Sequence, residues 1–264
     1  MSRSGLRRRG FWVPEALGRW QGRPIRACRD SALAKQVMLG LTRGGRRVYV
    51  HPDPEPKWKF RITGHGERSA SVARRVHRLL HRYSTDTQPG RLLAFLNQQF
   101  SDFAPAGTLA TSLCAVYKSR RGEIHYAYGG QPRILFWQAQ QRQWTTLAPS
   151  QESICGLPFG VTETACYDED HILLDPGDIL LMFSDGVPET RSASGELLQP
   201  EGVMELAQES TEEIGSSSCA PLTAVASIFL RRLEDFHGRP DFQDDITLLW
   251  IRRLPRQTSE AVSA

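Results

Sequence analysis

The feature that most constrains the fold is a change in the spacing of apolar residues near position 109. Before it, two stretches carry apolar residues at helical spacing; after it, short stretches alternate apolar and polar residues, as strands do. Two more helical patterns and a final strand follow. Because the helices are grouped and do not alternate singly with strands, this order predicts an α+β fold of layered antiparallel sheets. The predicted strands lie at 58–63, 109–117, 123–128, 133–137, 143–147, 171–174, 179–183 and 246–252, and the later helices at 200–209 and 221–236.

Composition excludes several classes of protein. The chain has 264 residues, 40% of them apolar, which is enough for a sizeable core. No apolar run approaches the ~18 residues of a membrane-spanning helix, and no basic segment leads into an apolar one as in a secretory signal. We therefore expect a cytoplasmic protein without membrane contact. The five cysteines are scattered without a C-x-x-C pair, which predicts reduced thiols.

The charge is divided unevenly along the chain. Residues 1–62 hold 15 basic and 4 acidic residues, whereas the remainder holds 18 basic and 25 acidic ones. We interpret 1–43 as a basic leader with little regular pattern beyond a possible short helix at 31–41. The globular domain then spans 44–254, and 255–264 form a flexible tail. Aromatic residues between arginines could stack on bases, but no nucleic-acid motif accompanies them, so nucleic acid is not the expected partner.

Acidic residues stand at the ends of two predicted strands. Asp185, followed by Gly186, comes directly after the apolar strand 179–183, and Asp244 and Asp245 precede the last strand. Carboxylates fixed by apolar strands suit a hard cation that prefers oxygen ligands. Each site taken alone is equally typical of a turn or a strand edge.

A second candidate is the triplet Gly64-His65-Gly66, which follows a predicted strand and precedes a predicted helix. Its glycines would allow a ligand close to the backbone, and the helix would offer free N–H groups to an anion. His65 is the candidate catalytic side chain here, although a histidine between glycines is more often only a loop residue. No G-x-S-x-G elbow, G-K-[ST] loop or H-E-x-x-H pair occurs.

Six segments together resemble the metal-dependent protein phosphatases (PPM family), and among them the bacterial sporulation-phosphatase (SpoIIE) type. The resemblance covers about residues 44–253. It rests on T-G-H-G at 63–66, L-A-T-S-L-C-A-V-Y at 109–117, Y-A-Y-G-G-Q-P at 126–132, G-L-P-F-G at 156–160, L-D-P-G-D-I-L-L-M-F-S-D-G-V-P-E-T at 174–190 and D-D-I-T-L-L at 244–249.

This resemblance implies a four-layer α-β-β-α sandwich with two manganese or magnesium ions at one end of the sheets. Asp185 and Asp244 match metal ligands of the family, and Asp245 would support the strand opening. A water shared by the ions would attack phosphorus. The implied substrate is phosphoserine or phosphothreonine on a regulatory protein, for example in a sigma-factor pathway; the oligomeric state is not implied.

The chain departs from the family at two metal positions. The family's G-G-D is matched by Gly44-Gly45-Arg46, and its D-V-[ST]-G-H-G is matched by a segment that opens with Arg61. Arg61 thus stands where the family has the aspartate that bridges both ions. A guanidinium stays protonated and repels cations, so it would instead pair with Asp185 and Asp244.

Three explanations remain open. The chain is a pseudophosphatase that binds a phosphoprotein without turnover, or it retains weak one-metal activity. Alternatively, residues 1–62 are not the natural reading of the gene, for instance after a frameshift, as the charge change near residue 62 suggests.

The frameshift explanation predicts that the upstream DNA, translated in the other frames, encodes G-G-D and D-V-[ST] segments. Translation of that DNA checks the prediction, and their absence from every frame would remove this explanation.

Overall fold

A computed structural model gives the backbone of four N-terminal strands and the full structure of most of the chain from residue 71 onward. Two antiparallel sheets, flanked by helices, make up the described part. The described residues are 15–20, 23–29, 36–42, 57–62, 71–76, 78–79, 88–118, 121–148, 156–214, 221–239, 242, 244 and 246–254.

From β4 onward, the described strands and helices follow the predicted order. Residues 71–76 and 78–79 are helical and precede three longer helices. The longer helices are α1 Pro89–Phe103, α2 Gln199–Ile214 and α3 Leu222–His237. The strands are β1 Glu15–Trp20, β2 Arg23–Arg29, β3 Gln36–Thr42, β4 Lys57–Ile62, β5 Ala110–Lys118, β6 Glu123–Gly129, β7 Leu135–Gln138, β8 Gln143–Thr146, β9 Asp170–Leu173, β10 Ile179–Phe183 and β11 Thr247–Arg253.

Both sheets are antiparallel. The larger has seven strands in the order β1-β2-β3-β11-β10-β7-β8, and the smaller has four in the order β4-β5-β6-β9. Their facing sides share one apolar cluster, to which Leu113 and Tyr126 contribute from the smaller sheet and Leu180 and Ile251 from the larger. The chain is therefore an α+β protein built on two packed antiparallel sheets, as predicted.

Helices cover the outer faces of both sheets. The apolar stripe predicted for α1 is confirmed, because Leu92, Leu93, Leu96 and Phe100 are buried against the smaller sheet. Helices α2 and α3 pack on the larger sheet around Trp250. These contacts complete the four layers of an α-β-β-α sandwich.

Strand β10 shows why its sequence is uniformly apolar. All five of its residues are buried. Leu180 and Met182 face the smaller sheet, whereas Leu181 and Phe183 pack under the helices. A central strand covered on both faces needs apolar side chains in both directions. This burial fixes the backbone that leads through Ser184 to Asp185.

Two predictions are wrong. The helix proposed at 31–41 is replaced from residue 36 onward by β3, which pairs with β11 over its whole length. Val37 and Gly40 both disfavour helix, and the open edge of β11 gives this segment backbone partners. Cys166 forms a disulfide whose partner lies outside the described side chains, whereas Cys114 is a buried reduced thiol, as predicted. The spacing of the cysteines in the sequence did not predict the disulfide at Cys166.

The domain boundaries proposed at 43 and 254 stay predictions, although β1, β2 and most of β3 fall within the proposed leader. Of the helices that the structure describes, none has the length and apolar character to cross a membrane.

Asp178 fixes the turn between β9 and β10. Its carboxylate is buried and accepts N–H groups of Ala139 at 2.9 Å and Asp175 at 2.7 Å. Burial raises the pKa of Asp178 above its ordinary value, although both N–H donors act to lower it. We expect Asp178→Ala to lower the free energy of unfolding by about 2 kcal/mol, because two backbone N–H groups lose their acceptor. Urea unfolding measures this, and a loss no larger than that of exposed Asp102→Ala would contradict it.

Candidate functional site

The strand connections place strand ends from both sheets at the same end of the sandwich. Strand β6 ends at Gly129, and the chain crosses directly to the larger sheet, where β7 begins at Leu135. Strand β10 is antiparallel to β7 and ends at Phe183, which pairs with Leu248 near the start of β11. In the smaller sheet, the antiparallel pairing puts the end of β4 and the start of β5 beside the end of β6. We call this the Asp185 end.

Asp185 is held by a tight turn after β10. Ser184, which is buried, donates its N–H to the Thr247 carbonyl at 3.0 Å and accepts the Thr247 N–H on its hydroxyl at 2.9 Å. One carboxylate oxygen of Asp185 accepts the Gly186 N–H at 3.1 Å, and its carbonyl accepts the Glu189 N–H at 3.0 Å. The half-buried Asp185 therefore has a fixed backbone at this end of the sandwich.

Asp244 comes to the same place from the other side. It precedes β11 and, with Gly186, lines a pocket of about 340 Å³. The structure thus brings together the two acidic segments that the sequence singled out, although they are separated by almost sixty residues. Their pairing across β10 and β11 follows from the antiparallel register that begins at Phe183 and Leu248.

The smaller sheet contributes polar residues to this end. Arg61 pairs with Thr111 in the register of β4 and β5, so position 61 lies at the Asp185 end. Gln131 follows β6, is buried, and donates from its side-chain amide to the Thr111 hydroxyl at 2.5 Å. The other amide atom of Gln131, Oε1, is buried and has no hydrogen-bond partner among the residues that the structure describes.

Neither Thr111 nor Gln131 was singled out in the sequence analysis. The only signal was that both lie within segments that carry the family resemblance, at 109–117 and 126–132. The remaining predicted site residues, Arg46, Gly64, His65, Gly66 and Asp245, lie outside the described residues.

The described donors fit one divalent cation better than two. Asp185 and Asp244 supply carboxylate oxygens, and Mg²⁺ is commonly bound through one or two carboxylates, with water and substrate phosphate completing its shell. Within the described ranges, no group of three or more His, Cys, Asp or Glu side chains is placed to hold a metal ion. The family's two-ion arrangement is therefore not complete in this part of the chain.

The far wall of the pocket contains residues that sequence reasoning missed. Glu189, Thr190, Arg191 and Leu197 come from the segment after Asp185, and His237 and Phe242 come from the end of α3 and the following loop. The rings of His237 and Phe242 stack with centroids 4.6 Å apart. His237 ends a helix before Gly238, and nothing in the sequence relates it to position 191.

A sequence comparison with curated proteins found a relative of this chain. Phosphoserine phosphatase RsbU of Bacillus subtilis (strain 168) is 27% identical over 169 residues, which are 64% of this chain and 46% of that protein. The chain thus matches less than half of the length of this relative.

Two solved structures share the fold. The SiaA-PP2C domain of Pseudomonas aeruginosa aligns with a TM-score of 0.58 and 15% identity over 81% of this chain and 79% of that one. The RsbU and RsbW domains of Rv1364c from Mycobacterium tuberculosis align with a TM-score of 0.59 and 20% identity over 89% of this chain and 57% of that one.

The family model of Stage II sporulation protein E (SpoIIE) matches residues 62–254, from the end of β4 to the end of β11. This match contains strands β5 to β11, the turn of Asp185 and the Asp244 segment. The chain therefore belongs to the SpoIIE family of PP2C-type phosphatases.

Proposed function

We propose that this chain removes phosphate from phosphoserine or phosphothreonine on a bacterial signalling regulator, and that the reaction takes place at the Asp185 end. The observation that carries the proposal is that Asp244 and Gly186, the neighbour of Asp185, line one pocket within the span that matches the family. Phosphoserine phosphatase RsbU, a relative by sequence, supports the substrate class.

The proposed reaction is hydrolysis of a phosphomonoester. A water oxygen adds to phosphorus, the bond from phosphorus to the serine oxygen breaks, and the leaving oxygen takes a proton to give serine and inorganic phosphate. Asp185 and Asp244 would hold a manganese or magnesium ion. A bound ion of this kind lowers the pKa of water and offsets negative charge on the phosphoryl group.

The protein's own part is to fix these carboxylates before substrate binds. Ser184 and Thr247 join the two strands directly beneath them. The Gly186 N–H limits the rotation of Asp185. Carboxylates held in this way need little rearrangement when a cation or a phosphorylated side chain arrives.

A second candidate function is phosphoprotein binding without turnover. Arg61, near the end of β4, favours it, because a guanidinium cannot ligate a cation. Such a pseudophosphatase would use the same cleft and would protect or sequester its partner.

We expect the parent chain to release phosphate from a phosphoserine peptide slowly, and only when manganese is present. Asp185→Asn and Asp244→Asn should each abolish this release, because each removes a negative charge from the cation site. The measurement is phosphate release with manganese and with a chelator. Asp235→Asn, an exposed change on α3, is the matched control and should keep the parent rate.

Release that is independent of manganese, or that survives Asp185→Asn, would contradict the proposed site. No release by the parent, together with retained binding of the phosphorylated peptide, would establish the pseudophosphatase.

A further inference from the structure

Arg191 is the arginine among the described residues that line the pocket beside Asp244 and Gly186, and its guanidinium is permanently charged. We propose that Arg191 binds the phosphoryl oxygens of the substrate. This inference rests on the proposed function, since it concerns the same cleft, and it names a substrate-binding residue that neither the sequence patterns nor the predicted metal ligands indicated.

The guanidinium of Arg191 is oriented but not neutralised. One of its terminal nitrogens donates to the Gly195 carbonyl at 2.8 Å, and the side chain is exposed. No ion pair joins it to a carboxylate of the described residues. A guanidinium carries five N–H donors, so the bond to Gly195 leaves several for a ligand.

A small hairpin at residues 190–198 fixes the backbone of Arg191. Leu198 donates its N–H to the Thr190 carbonyl at 2.8 Å, and Ser192 donates to the Glu196 carbonyl at the same distance. Between them, Arg191 and Leu197 form an antiparallel bridge. The turn of this hairpin contains Gly195, which also accepts the bond from the guanidinium.

His237 joins this hairpin to the other side of the pocket. Its Nδ1 lies 2.7 Å from the Arg191 carbonyl, and because a carbonyl only accepts, Nδ1 carries the proton. The His237 ring is buried and stacks on Phe242, two residues before Asp244. His237 is thus a positioning residue that sets Arg191 relative to the acidic segment.

The charge of the pocket explains why a cation is needed there. Glu189 and Asp244 place carboxylates on its wall, and Asp185 lies on the adjoining turn. A phosphate dianion would be repelled by these groups unless positive charge offsets them. A planar guanidinium meets two phosphate oxygens at once, which an ammonium group cannot do.

The test is the binding of inorganic phosphate and of a phosphoserine peptide to the full chain, measured by calorimetry in the presence of manganese. We expect Arg191→Ala to weaken both by at least roughly tenfold, the value of one charge-assisted hydrogen bond. Arg191→Lys should recover part of the loss. Arg239→Ala is the matched control: Arg239 donates to Ala193 of the same hairpin at 3.3 Å but does not line the pocket.

Equal affinity of the parent and Arg191→Ala, or no phosphate binding by the parent, would overturn the inference. Phosphate binding that depends on Arg191 in a chain without turnover would uphold it while removing the hydrolytic function. Turnover whose KM is unchanged by Arg191→Ala would overturn the inference about Arg191 while leaving the hydrolytic function in place.

The role of His237 has its own readout. His237→Ala should raise the Kd for phosphate, and His237→Asn, which keeps an N–H donor, should restore it. Thermal unfolding of both variants separates this effect from lost packing on Phe242. Failure of asparagine to restore binding at equal stability would limit His237 to a packing role.

Discussion

Replacing Arg61 by aspartate is expected to raise manganese-dependent phosphate release on the order of 100-fold. We propose that position 61 carries the residue that decides whether the cleft holds its full set of cations. It pairs with Thr111 near the end of β4, at the Asp185 end. Arg61→Asp replaces a permanent positive charge by an oxygen ligand, which changes the local charge by two units in favour of a cation.

A matched variant separates this local effect from a general gain of acidity. Lys59 lies two residues earlier on β4 and pairs with Leu113, farther from the Asp185 end. Lys59→Asp makes the same change of charge on the same strand, and we expect it to leave phosphate release unchanged. Equal gains from both variants, or no gain from Arg61→Asp, would show that position 61 is not a metal position.

Asn97→Ala is expected to lower the free energy of unfolding by about 3 kcal/mol. Asn97 lies on α1 and is completely buried. Its amide nitrogen donates to the Thr162 carbonyl at 2.7 Å, and its amide oxygen accepts the Gly160 N–H at 3.1 Å. Alanine would remove the side-chain partner of both backbone groups and leave a cavity at a fully buried position, and the loop that carries Phe159 would lose its attachment to the helix.

Urea unfolding measures this effect, with Gln98→Ala as the control, because Gln98 is the exposed neighbour on the same helix. The control should change the free energy of unfolding by less than ~0.5 kcal/mol. Asn97→Asp keeps the acceptor for Gly160 but places a carboxylate against the Thr162 carbonyl, so it should not restore stability. An Asn97→Ala protein as stable as the control would contradict this assignment.

The strands from β5 onward were predictable within two residues, because their alternation and their turn residues agree. The sequence also indicated the acidic candidates, because Asp185 and Asp244 stand close to the ends of apolar strands. Antiparallel pairing of those strands, β10 and β11, brings the two acidic segments to the same end. Local patterns therefore sufficed wherever the site is built from strand ends.

The rest required contacts that no local pattern records. His237 reaches Arg191 across forty-six positions, and Gln131 reaches Thr111 across twenty. The segment of β3 was mistaken for a helix because its partner, β11, comes more than two hundred residues later. A disulfide at Cys166 likewise depends on how the chain returns, which residue spacing alone does not give.

The most direct test of the central claim is the number of manganese ions bound at saturation by the parent chain and by Arg61→Asp. Calorimetry or electron paramagnetic resonance counts them. If Asp185 and Asp244 form a site that Arg61 keeps incomplete, the parent binds at most one ion and Arg61→Asp binds one more. Asp185→Asn should lower the count in both proteins. A parent chain that already binds two ions as tightly as Arg61→Asp would contradict the account.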